Sequence, residues 1–440
     1  MATRSTTGTG SPDREILRLA VPAFLALVAE PLFLLADSAI VGHLGTTQLA
    51  GLGIAGAVLS ALISVCVFLA YGTTASVARR IGAGDVTAAV RSGVDGVWLA
   101  VLIGAVITLG GTLGTPQLVD LFGAGNRVSD QAEQYLRIGF LGSVPLLVVL
   151  AATGILRGLQ DTRTPLLVSV TGNVTNVALN LLLVYGLDLG IRGSALGTVL
   201  AQTISAAVML AVVDRAARRY RVSRRPSTAG IRLAGRAGVP LLLRTVTLRA
   251  SLLVMTLGAT TLGETDLAAM QIAMTVWSFL AFTLDAIAIA AQAITGRYLG
   301  AGDRAGTRRI TRRMLRWGAV SGIVTGLGLA VVSPFLGSLF TSDDRVQHLL
   351  TGVLLVAASA QPLAGVVFVL DGVLIGAGDG RYLALVGLLV LVLFAPAAWY
   401  AVEVGGTLVW LWVAFGAAFM GGRAVVLLLR ERTEAWMTVG

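Results

Sequence analysis

The chain has 440 residues, of which 56% are hydrophobic and 13% charged, and its mean hydropathy is +0.85. A soluble domain usually carries about 25% charged residues, so this composition excludes an ordinary soluble protein and indicates a membrane protein with many spans. The formal net charge is +10, and the position of the basic residues decides whether they serve nucleic acid or the membrane.

Apolar stretches long enough to cross a membrane recur along nearly the whole chain. A hydrocarbon core of about 30 Å takes ~20 apolar residues per helix. None of the stretches alternates like the ~10-residue strands of an outer-membrane barrel, so we predict an all-α membrane protein. The twelve predicted spans are 16–41, 48–78, 93–115, 132–156, 165–187, 193–213, 237–260, 266–296, 317–340, 347–376, 382–402 and 407–429.

The first span contains two acidic residues, Glu30 and Asp37. An ionised carboxylate at membrane depth costs ~2.5–3.5 kcal/mol or more, so it must be solvated, paired or protonated. The two acids are seven residues apart and therefore share one helix face. For Glu30, a hydrogen bond to the backbone is the alternative to a direct role. Pro22 and Pro31 remove backbone donors from this helix and favour a kink.

Polar residues also follow one face of the fifth span. Asn173, Asn176 and Asn180 stand at i, i+3 and i+7, which places them on the same side of a helix. Thr198 adds a hydroxyl in the sixth span. The alternative to a functional site is interhelical hydrogen bonding, which contributes about 0.6–2 kcal/mol per group in membrane bundles.

The basic residues are all arginine, and their distribution predicts orientation. With a cytoplasmic N-terminus, 27 of the 33 lie on the cytoplasmic side and Arg244 and Arg249 lie inside the seventh span. This bias predicts a plasma-membrane protein with both termini in the cytoplasm. The arginine-rich segment 215–236 is interpreted as an orientation signal and a linker between lobes 1–214 and 237–440, in preference to a nucleic-acid patch. The four arginines on the other side are Arg127, Arg137, Arg192 and Arg345.

The second half of the chain repeats the first with a shift of 218 residues. "LGTTQLAGLGIA" (44–55) recurs as "LGETDLAAMQIA" (262–273), and "IGAGD" (81–85) recurs as "LGAGD" (299–303). Each copy of GAGD follows a long span beside arginines, which favours a turn over a phosphate loop. Six spans per repeat predict two lobes related by a pseudo-two-fold axis along the membrane normal, with a cleft between them.

The repeat shows which polar residues belong to one lobe alone. Asp37 corresponds to Met255, and the three asparagines correspond to Leu391, Phe394 and Ala398. The second lobe has acids of its own, Asp285 and Asp371, for which pairing competes with attraction of a cationic substrate. Further candidates in that lobe, including soft and aromatic side chains that tolerate varied ligands, are Gln271, Gln292, Met255 and Trp277.

Several motifs in order resemble the multidrug and toxic compound extrusion (MATE) family, and within it the DinF branch. They are "EPLFLLADSAIVGHLGTTQLAGLGIA", "ARRIGAGD", "ILRGLQDTRTP" and "NVALNLLLVYGLDLGIRGSALGTVLAQ". The resemblance covers about residues 14 to 430. It implies twelve helices in two lobes and the export of chemically varied, often cationic and amphipathic compounds, driven by inward flow of H⁺ or Na⁺.

The resemblance also implies a coupling site in the first lobe. In the family an acid of the first helix, matched by Asp37, acts with polar residues of helices five and six, matched here by Asn176, Asn180 and Thr198. Some relatives carry Asp where this chain has Asn180, so only one formal charge remains in the set, which favours H⁺ over Na⁺. The family's first helix is thought to bend as its acid changes protonation, and Pro22 stands where that bend would start.

The sequence therefore predicts a cation-coupled multidrug antiporter that works as a monomer, binds small molecules and lipid, and needs no nucleic acid, cofactor or metal. The alternative is a lipid-linked precursor flippase of the same wider superfamily, which would require a cationic cleft. An intramembrane enzyme is a third hypothesis, disfavoured because the chain has no HExxH motif and no paired-Asp or Ser/His arrangement. Transport under separate pH and Na⁺ gradients distinguishes these hypotheses.

Overall fold

The structure is a computed structural model that describes residues 11–438. The described chain is helical apart from short turns, and twelve helices are long and apolar enough to cross a membrane, which confirms the predicted fold class. The helices are α1 (Pro12–Gly42), α2 (Thr46–Gly82), α3 (Val86–Leu113), α4 (Asn126–Gly158), α5 (Arg163–Gly186), α6 (Gly190–Arg219), α7 (Thr228–Leu262), α8 (Glu264–Gly300), α9 (Arg304–Phe340), α10 (Asp344–Gly376), α11 (Gly380–Glu403) and α12 (Leu408–Arg432).

Several helices continue beyond the apolar stretches that predicted them. Helix α9 begins at Arg304 rather than near residue 317, and α7 begins at Thr228 rather than near 237. The added turns contain arginines whose charged ends reach water, while the backbone continues its hydrogen bonds along the helix. As a result, the non-helical chain between α6 and α7 is short and covers only residues 220–227.

The repeated GAGD sequence forms the turns that follow α2 and α8. Gly84 and Gly302 have φ values of 79° and 74°, in the left-handed region that glycine adopts without a side-chain clash. Asp85 and Asp303 then cap the next helix, because each carboxylate accepts a hydrogen bond from the backbone N–H three residues further on. The motif is thus a capped turn, as its surroundings predicted.

The helices form two six-helix lobes, α1–α6 and α7–α12. We call the end of the bundle where α1 begins, α2 ends and residues 220–227 lie the linker face, and the other end the opposite face. Across the boundary between the lobes, α1 and α2 pack against α8, and α7 packs against α2 and α3. The four helices α1, α2, α7 and α8 therefore line the middle of the molecule.

Burial along the central helices shows on which side the lobes are closed. In α8, twelve residues between Leu284 and Gly300 are buried, against four between Glu264 and Thr283. Its repeat partner α2 follows the same trend, with eight buried residues from Phe68 to Gly82 and five from Thr46 to Cys66. The lobes are thus packed tightly at the linker face, and the lower burial of the central helices toward the opposite face indicates that a cleft between the lobes opens there.

The closest approach of the lobes lies at the linker face, where two glycines related by the repeat cross. A Cβ added to Gly82 would stand 2.0 Å from the carbonyl oxygen of Arg297, and one added to Gly300 would stand 1.8 Å from that of Arg79. Gly82 and Gly300 are equivalent positions, and so are Arg79 and Arg297, because each pair is separated by the 218-residue shift. The crossing therefore lies on the pseudo-two-fold axis.

We expect Gly82→Ala to lower the stability of the protein by about 1–3 kcal/mol, because the new methyl group forces the lobes apart at a tightly packed contact. The measurement is the midpoint of thermal unfolding of the purified protein in detergent. Gly56→Ala is the matched control in the same helix, since a Cβ there meets no atom within 4 Å. Equal unfolding midpoints for the two variants would contradict the tight contact between the lobes at Gly82.

Charged groups reinforce the closed linker face. Asp13 at the start of α1 accepts hydrogen bonds from Arg313 Nε at 2.6 Å and from Trp317 Nε1 at 2.8 Å, both on α9. Glu15 pairs with Arg297 of α8. Within residues 11–438, all hydrogen bonds and ion pairs between the two lobes lie in the half of the bundle nearer this face.

Candidate functional site

Asp37 lies inside the first lobe, one turn before the end of α1 at the opposite face, and is only 5% exposed. Its Oδ1 accepts two hydrogen bonds, from Asn180 Nδ2 at 2.7 Å and from Ser194 Oγ at 2.8 Å. The side chain therefore points into the lobe and not into the lipid. Three helices, α1, α5 and α6, meet at this carboxyl group.

No positively charged side chain in the described part of the chain pairs with Asp37. Within the described residues it forms no ion pair, and its second oxygen, Oδ2, receives no hydrogen bond. Burying an ionised carboxylate without a counter-charge is costly. Oδ2 is thus the position at which a proton or a bound cation would relieve the charge.

Two of the predicted asparagines bring further oxygen atoms to the same place. Asn176 Nδ2 donates to Thr198 Oγ1 at 3.0 Å, which joins α5 to α6 one turn away from Asp37. The Oδ1 atoms of Asn176 and Asn180 are buried and have no hydrogen-bond partner within the described part of the chain. The structure therefore brings Asp37, Asn176, Asn180 and Thr198 together, as the resemblance implied.

The two supporting residues, Glu30 and Asn173, are placed differently. Asn173 Nδ2 donates to the backbone carbonyl of Ala29 at 3.3 Å, so it ties α5 to α1 two turns from Asp37. Glu30 is exposed and forms no hydrogen bond or ion pair with another described residue. The backbone hydrogen bond that served as the alternative for Glu30 is therefore not present among the described residues.

Helix α1 runs without interruption through both prolines, from Pro12 to Gly42. Pro22 is buried and Pro31 is partly buried. Each proline deletes one backbone hydrogen bond within the helix. The conformation described here therefore contains the two weakened points while remaining helical throughout.

Ser194 belongs to the site but was missed by the sequence reasoning. It is buried and donates to the same Asp37 oxygen as Asn180 does. The available signal was its spacing, because Ser194 stands four residues before Thr198 on α6 and hence on the same helix face. Tyr185 was also missed, and its hydroxyl donates to the carbonyl of Ile40 at 2.6 Å, which fixes the end of α1.

In the second lobe the two acids have different surroundings. Asp371 is buried and its Oδ2 accepts hydrogen bonds from Arg244 Nη2 at 2.7 Å and from Arg423. It is thus paired with two arginines, in line with the structural alternative. Asp285 is partly exposed and makes no direct ion pair with another described residue, although Arg244 and Arg157 are its electrostatic neighbours. Arg423 is one of the 27 arginines that the charge distribution places on the cytoplasmic side, whereas the fold places it in the interior beside Asp371.

The remaining candidates of the second lobe do not share one surface. Gln292 is buried and donates to the carbonyl of Tyr71 at 2.6 Å, so it joins the lobes. Gln271 is exposed on α8. Met255 is fully buried, and Trp277 is 6% exposed and packs edge-on against Trp412 at 5.8 Å between ring centroids. In this conformation Met255 and Trp277 belong to the interior of the lobe rather than to the cleft wall.

Metal-binding side chains are not grouped anywhere in residues 11–438, since no cluster of three or more His, Cys, Asp or Glu is present there. The oxygen atoms around Asp37 form a different kind of set, with one carboxylate, two amides and two hydroxyls. Such a set suits a proton or a monovalent cation better than a divalent metal that prefers several carboxylates.

Comparison with known sequences identifies relatives along almost the whole chain. The MatE family profile matches residues 22–182 and 240–400, two segments that differ by the same shift of 218 residues. DETOXIFICATION 44, a chloroplastic protein of Arabidopsis thaliana, is 33% identical over 397 residues, which cover 86% of this chain and 74% of that protein. The DNA damage-inducible protein F of Escherichia coli is 31% identical over 381 residues and 83% and 81% of the two chains.

Solved structures show the same fold. A transporter of the MOP superfamily from Pyrococcus furiosus superposes with a TM-score of 0.88 at 23% identity, covering 99% of this chain and 100% of that chain. A mutant of the Vibrio cholerae MATE transporter VcmN superposes with a TM-score of 0.86 at 22% identity, covering 97% and 98%. At these identities the likeness establishes the two-lobe architecture alone.

Proposed function

Because this chain belongs to the MatE family of multidrug and toxic compound extrusion transporters, we propose that it is a proton-coupled antiporter that exports amphipathic small molecules by alternating access. Members of this family are transporters and not enzymes. The coupling ion, the substrate and the direction of transport are the parts of this statement that are proposed.

The observation that carries the proposal is the isolated carboxyl group of Asp37. It is buried among three helices, accepts two hydrogen bonds on one oxygen and has no cationic partner within the described residues. A group in this position is more stable when a positive ion occupies its free side. Protonation at Oδ2 satisfies this requirement without disturbing the bonds from Asn180 and Ser194 to Oδ1.

The position of Asp37 supports exchange with a substrate across two lobes. It lies near the opposite face, toward which the cleft widens, so protons from that side have a short path to it. Loss of the proton leaves an uncompensated charge between α1, α5 and α6, which favours a rearrangement of those helices. In the proposed cycle, that rearrangement is coupled to opening of the linker face, where the proton is released.

Sodium is the second candidate ion. The buried Oδ1 atoms of Asn176 and Asn180 have no donor in the described part of the chain, and neutral oxygens of this kind can coordinate Na⁺ beside one carboxylate. The single formal charge favours H⁺, because a carboxyl group binds a proton by itself. The two ions are distinguished by the gradient that drives transport.

The remaining assignments extend the same proposal. The arginine distribution supports a plasma-membrane location with the linker face in the cytoplasm, both termini there and lobes 1–214 and 237–440 joined by segment 215–236. Each lobe is complete with six helices and the site lies within one lobe, so a monomer suffices for the function.

The experiment is transport by the purified protein in lipid vesicles. A pH gradient and a Na⁺ gradient are imposed separately, and movement of a fluorescent amphipathic dye is followed in each case. We expect the pH gradient to drive dye movement and the Na⁺ gradient at constant pH to have no effect. Transport driven by Na⁺ alone would replace H⁺ by Na⁺, and absence of transport under both gradients in folded protein would refute the antiporter.

A further inference from the structure

A cluster of charged side chains occupies the floor of the cleft between the lobes. Tyr71 and Arg157 come from the first lobe, while Arg244 and Asp285 come from the second, and all four are partly exposed although they lie deep between the helices. The cluster is separate from Asp37, which lies inside the first lobe. Behind these residues stand Asp371 and Arg423, both buried.

Helix spacing places the cluster next to the closed linker face, on the side that points toward the opposite face. On α8, Gln292 makes the hydrogen bond to Tyr71 that begins the tight contact between the lobes. Asp285 lies seven residues earlier, about 10 Å of helix toward the opposite face. On the other side, Gly154 of α4 packs against the carbonyl of Ala70, which brings Arg157, one turn further on, beside the turn that holds Tyr71.

The charges of the cluster do not cancel. The negative charge of Asp371 is balanced, because Arg244 and Arg423 both donate to its Oδ2. Arg423 is held further by Phe419, whose ring centroid lies 5.3 Å from its guanidinium carbon. When Asp371 and Arg423 are counted with the cluster, three arginines stand against two aspartates, which leaves one net positive charge. Arg157 has no hydrogen bond or ion pair with another described residue, although Asp285 acts on it at longer range.

An architectural role alone does not account for this set. The repeat counterparts of Tyr71, Arg157 and Asp285 are Ile289, Ile375 and Val67, and none of them carries charge. The other lobe is built with the same helices and the same crossing without such residues. Moreover, an unpaired guanidinium in a partly dehydrated site is unfavourable unless an anion reaches it.

We propose that the floor of the cleft binds the anionic group of the transported substrate, and that this substrate is an amphipathic compound with one carboxylate. The inference rests on the proposed function, because it names the substrate of that exporter. The carboxylate pairs with Arg157 and approaches Arg244, whose side chain is 11% exposed, while the apolar body extends into the cleft. The often cationic compounds implied by the resemblance would meet a net positive charge here.

The size of the net charge also limits the ligand. A lipid-linked diphosphate, the cargo of the flippase alternative, carries at least two negative charges and would need more than one uncompensated arginine. Asp285 lies within electrostatic range of Arg157 and Arg244 and would repel a second negative group. A single carboxylate matches the charge that the cluster leaves free.

The test uses two probes with the same aromatic body and opposite charge, 1-naphthylacetate and 1-naphthylmethylammonium. Their binding to the purified full-length protein is measured by equilibrium dialysis at neutral pH in a non-ionic detergent. We expect the carboxylate to bind about ten-fold more tightly than the amine, the difference that one charge-assisted hydrogen bond supplies. Tighter binding of the amine would overturn the proposal.

Two substitutions of opposite sign separate binding from structural damage. Arg157→Gln is expected to weaken binding of naphthylacetate about ten-fold, while Asp285→Asn, which removes a negative charge from the same place, is expected to strengthen it. Arg249→Gln is the matched control, since Arg249 is exposed on α7 outside the cluster, and it should leave binding unchanged. Equal weakening by Arg157→Gln and Asp285→Asn would indicate a structural role and refute the proposal.

Added phosphatidylglycerol separates a soluble carboxylate from a lipid headgroup. We expect it not to displace naphthylacetate, and displacement at equal concentration would assign the site to lipid and overturn the proposal. These binding measurements require no ion gradient. They therefore succeed or fail independently of the gradient experiment that tests the antiporter.

Discussion

Asp37→Asn is expected to abolish gradient-driven dye transport, leaving only the leak of protein-free vesicles. Asparagine keeps the oxygen that accepts from Asn180 and Ser194, but it cannot bind a proton at the free position. Because the substitution removes a buried charge without a partner, we expect the thermal unfolding midpoint to stay equal or rise. Transport in vesicles and unfolding in detergent are measured on the same preparation.

Asp188→Asn is the matched control for this experiment. Asp188 is exposed in the turn between α5 and α6 at the same end of the bundle. Its φ is 53°, a conformation that asparagine also tolerates. The control should transport normally, and continued coupled transport by Asp37→Asn would remove Asp37 from the mechanism.

Asp371→Asn is expected to destabilise the protein by about 3–5 kcal/mol, because it leaves the buried Arg423 and the largely buried Arg244 side by side without a counter-charge. The measurement is thermal unfolding in detergent, and the expected result is a large fall in the unfolding midpoint. Asp214→Asn serves for comparison, since its partners Arg218 and Arg224 are exposed and such pairs contribute about 0–1 kcal/mol.

A triple variant tests whether the charges or the shape of this group maintain the fold. Replacing all three residues, Arg244→Met, Asp371→Leu and Arg423→Met, removes every charge together and is expected to recover most of the stability lost in Asp371→Asn. A triple variant as unstable as Asp371→Asn would show that the loss arises from packing. In that case the arginine pair around Asp371 would not be the cause.

The number and order of the helices were predictable because the apolar period and the 218-residue repeat are both written in consecutive residues. The polar face of α5 was predictable for the same reason, as Asn176 and Asn180 share one side of a helix. That Asn180 meets Asp37 could not be derived from spacing, because the contact joins residues 143 positions apart. The family resemblance supplied that pairing.

Other parts of the site depend on packing that no local pattern records. Arg423 stands in an apolar span like any arginine near a membrane surface, and only the approach of α12 to α10 brings it to Asp371. Met255 and Trp277 have the chemistry of a tolerant cleft wall, yet the rotation of α7 and α8 turns both inward. Hydrophobicity determines that a side chain leaves water, but not which neighbour it then contacts.

Helix α1 carries acids of two kinds at its two ends. Asp13 and Glu15 fasten its first turn to the second lobe, while Asp37 stands 24 residues after Asp13, about 36 Å along the same rod. Pro22 and Pro31 divide helix α1 into three segments that can bend relative to one another at the prolines. A tilt of the segment that contains Asp37 therefore bends α1 at the prolines and acts on the contacts of Asp13 and Glu15 at the other membrane surface. A single helix can in this way transmit the state of one end to the other.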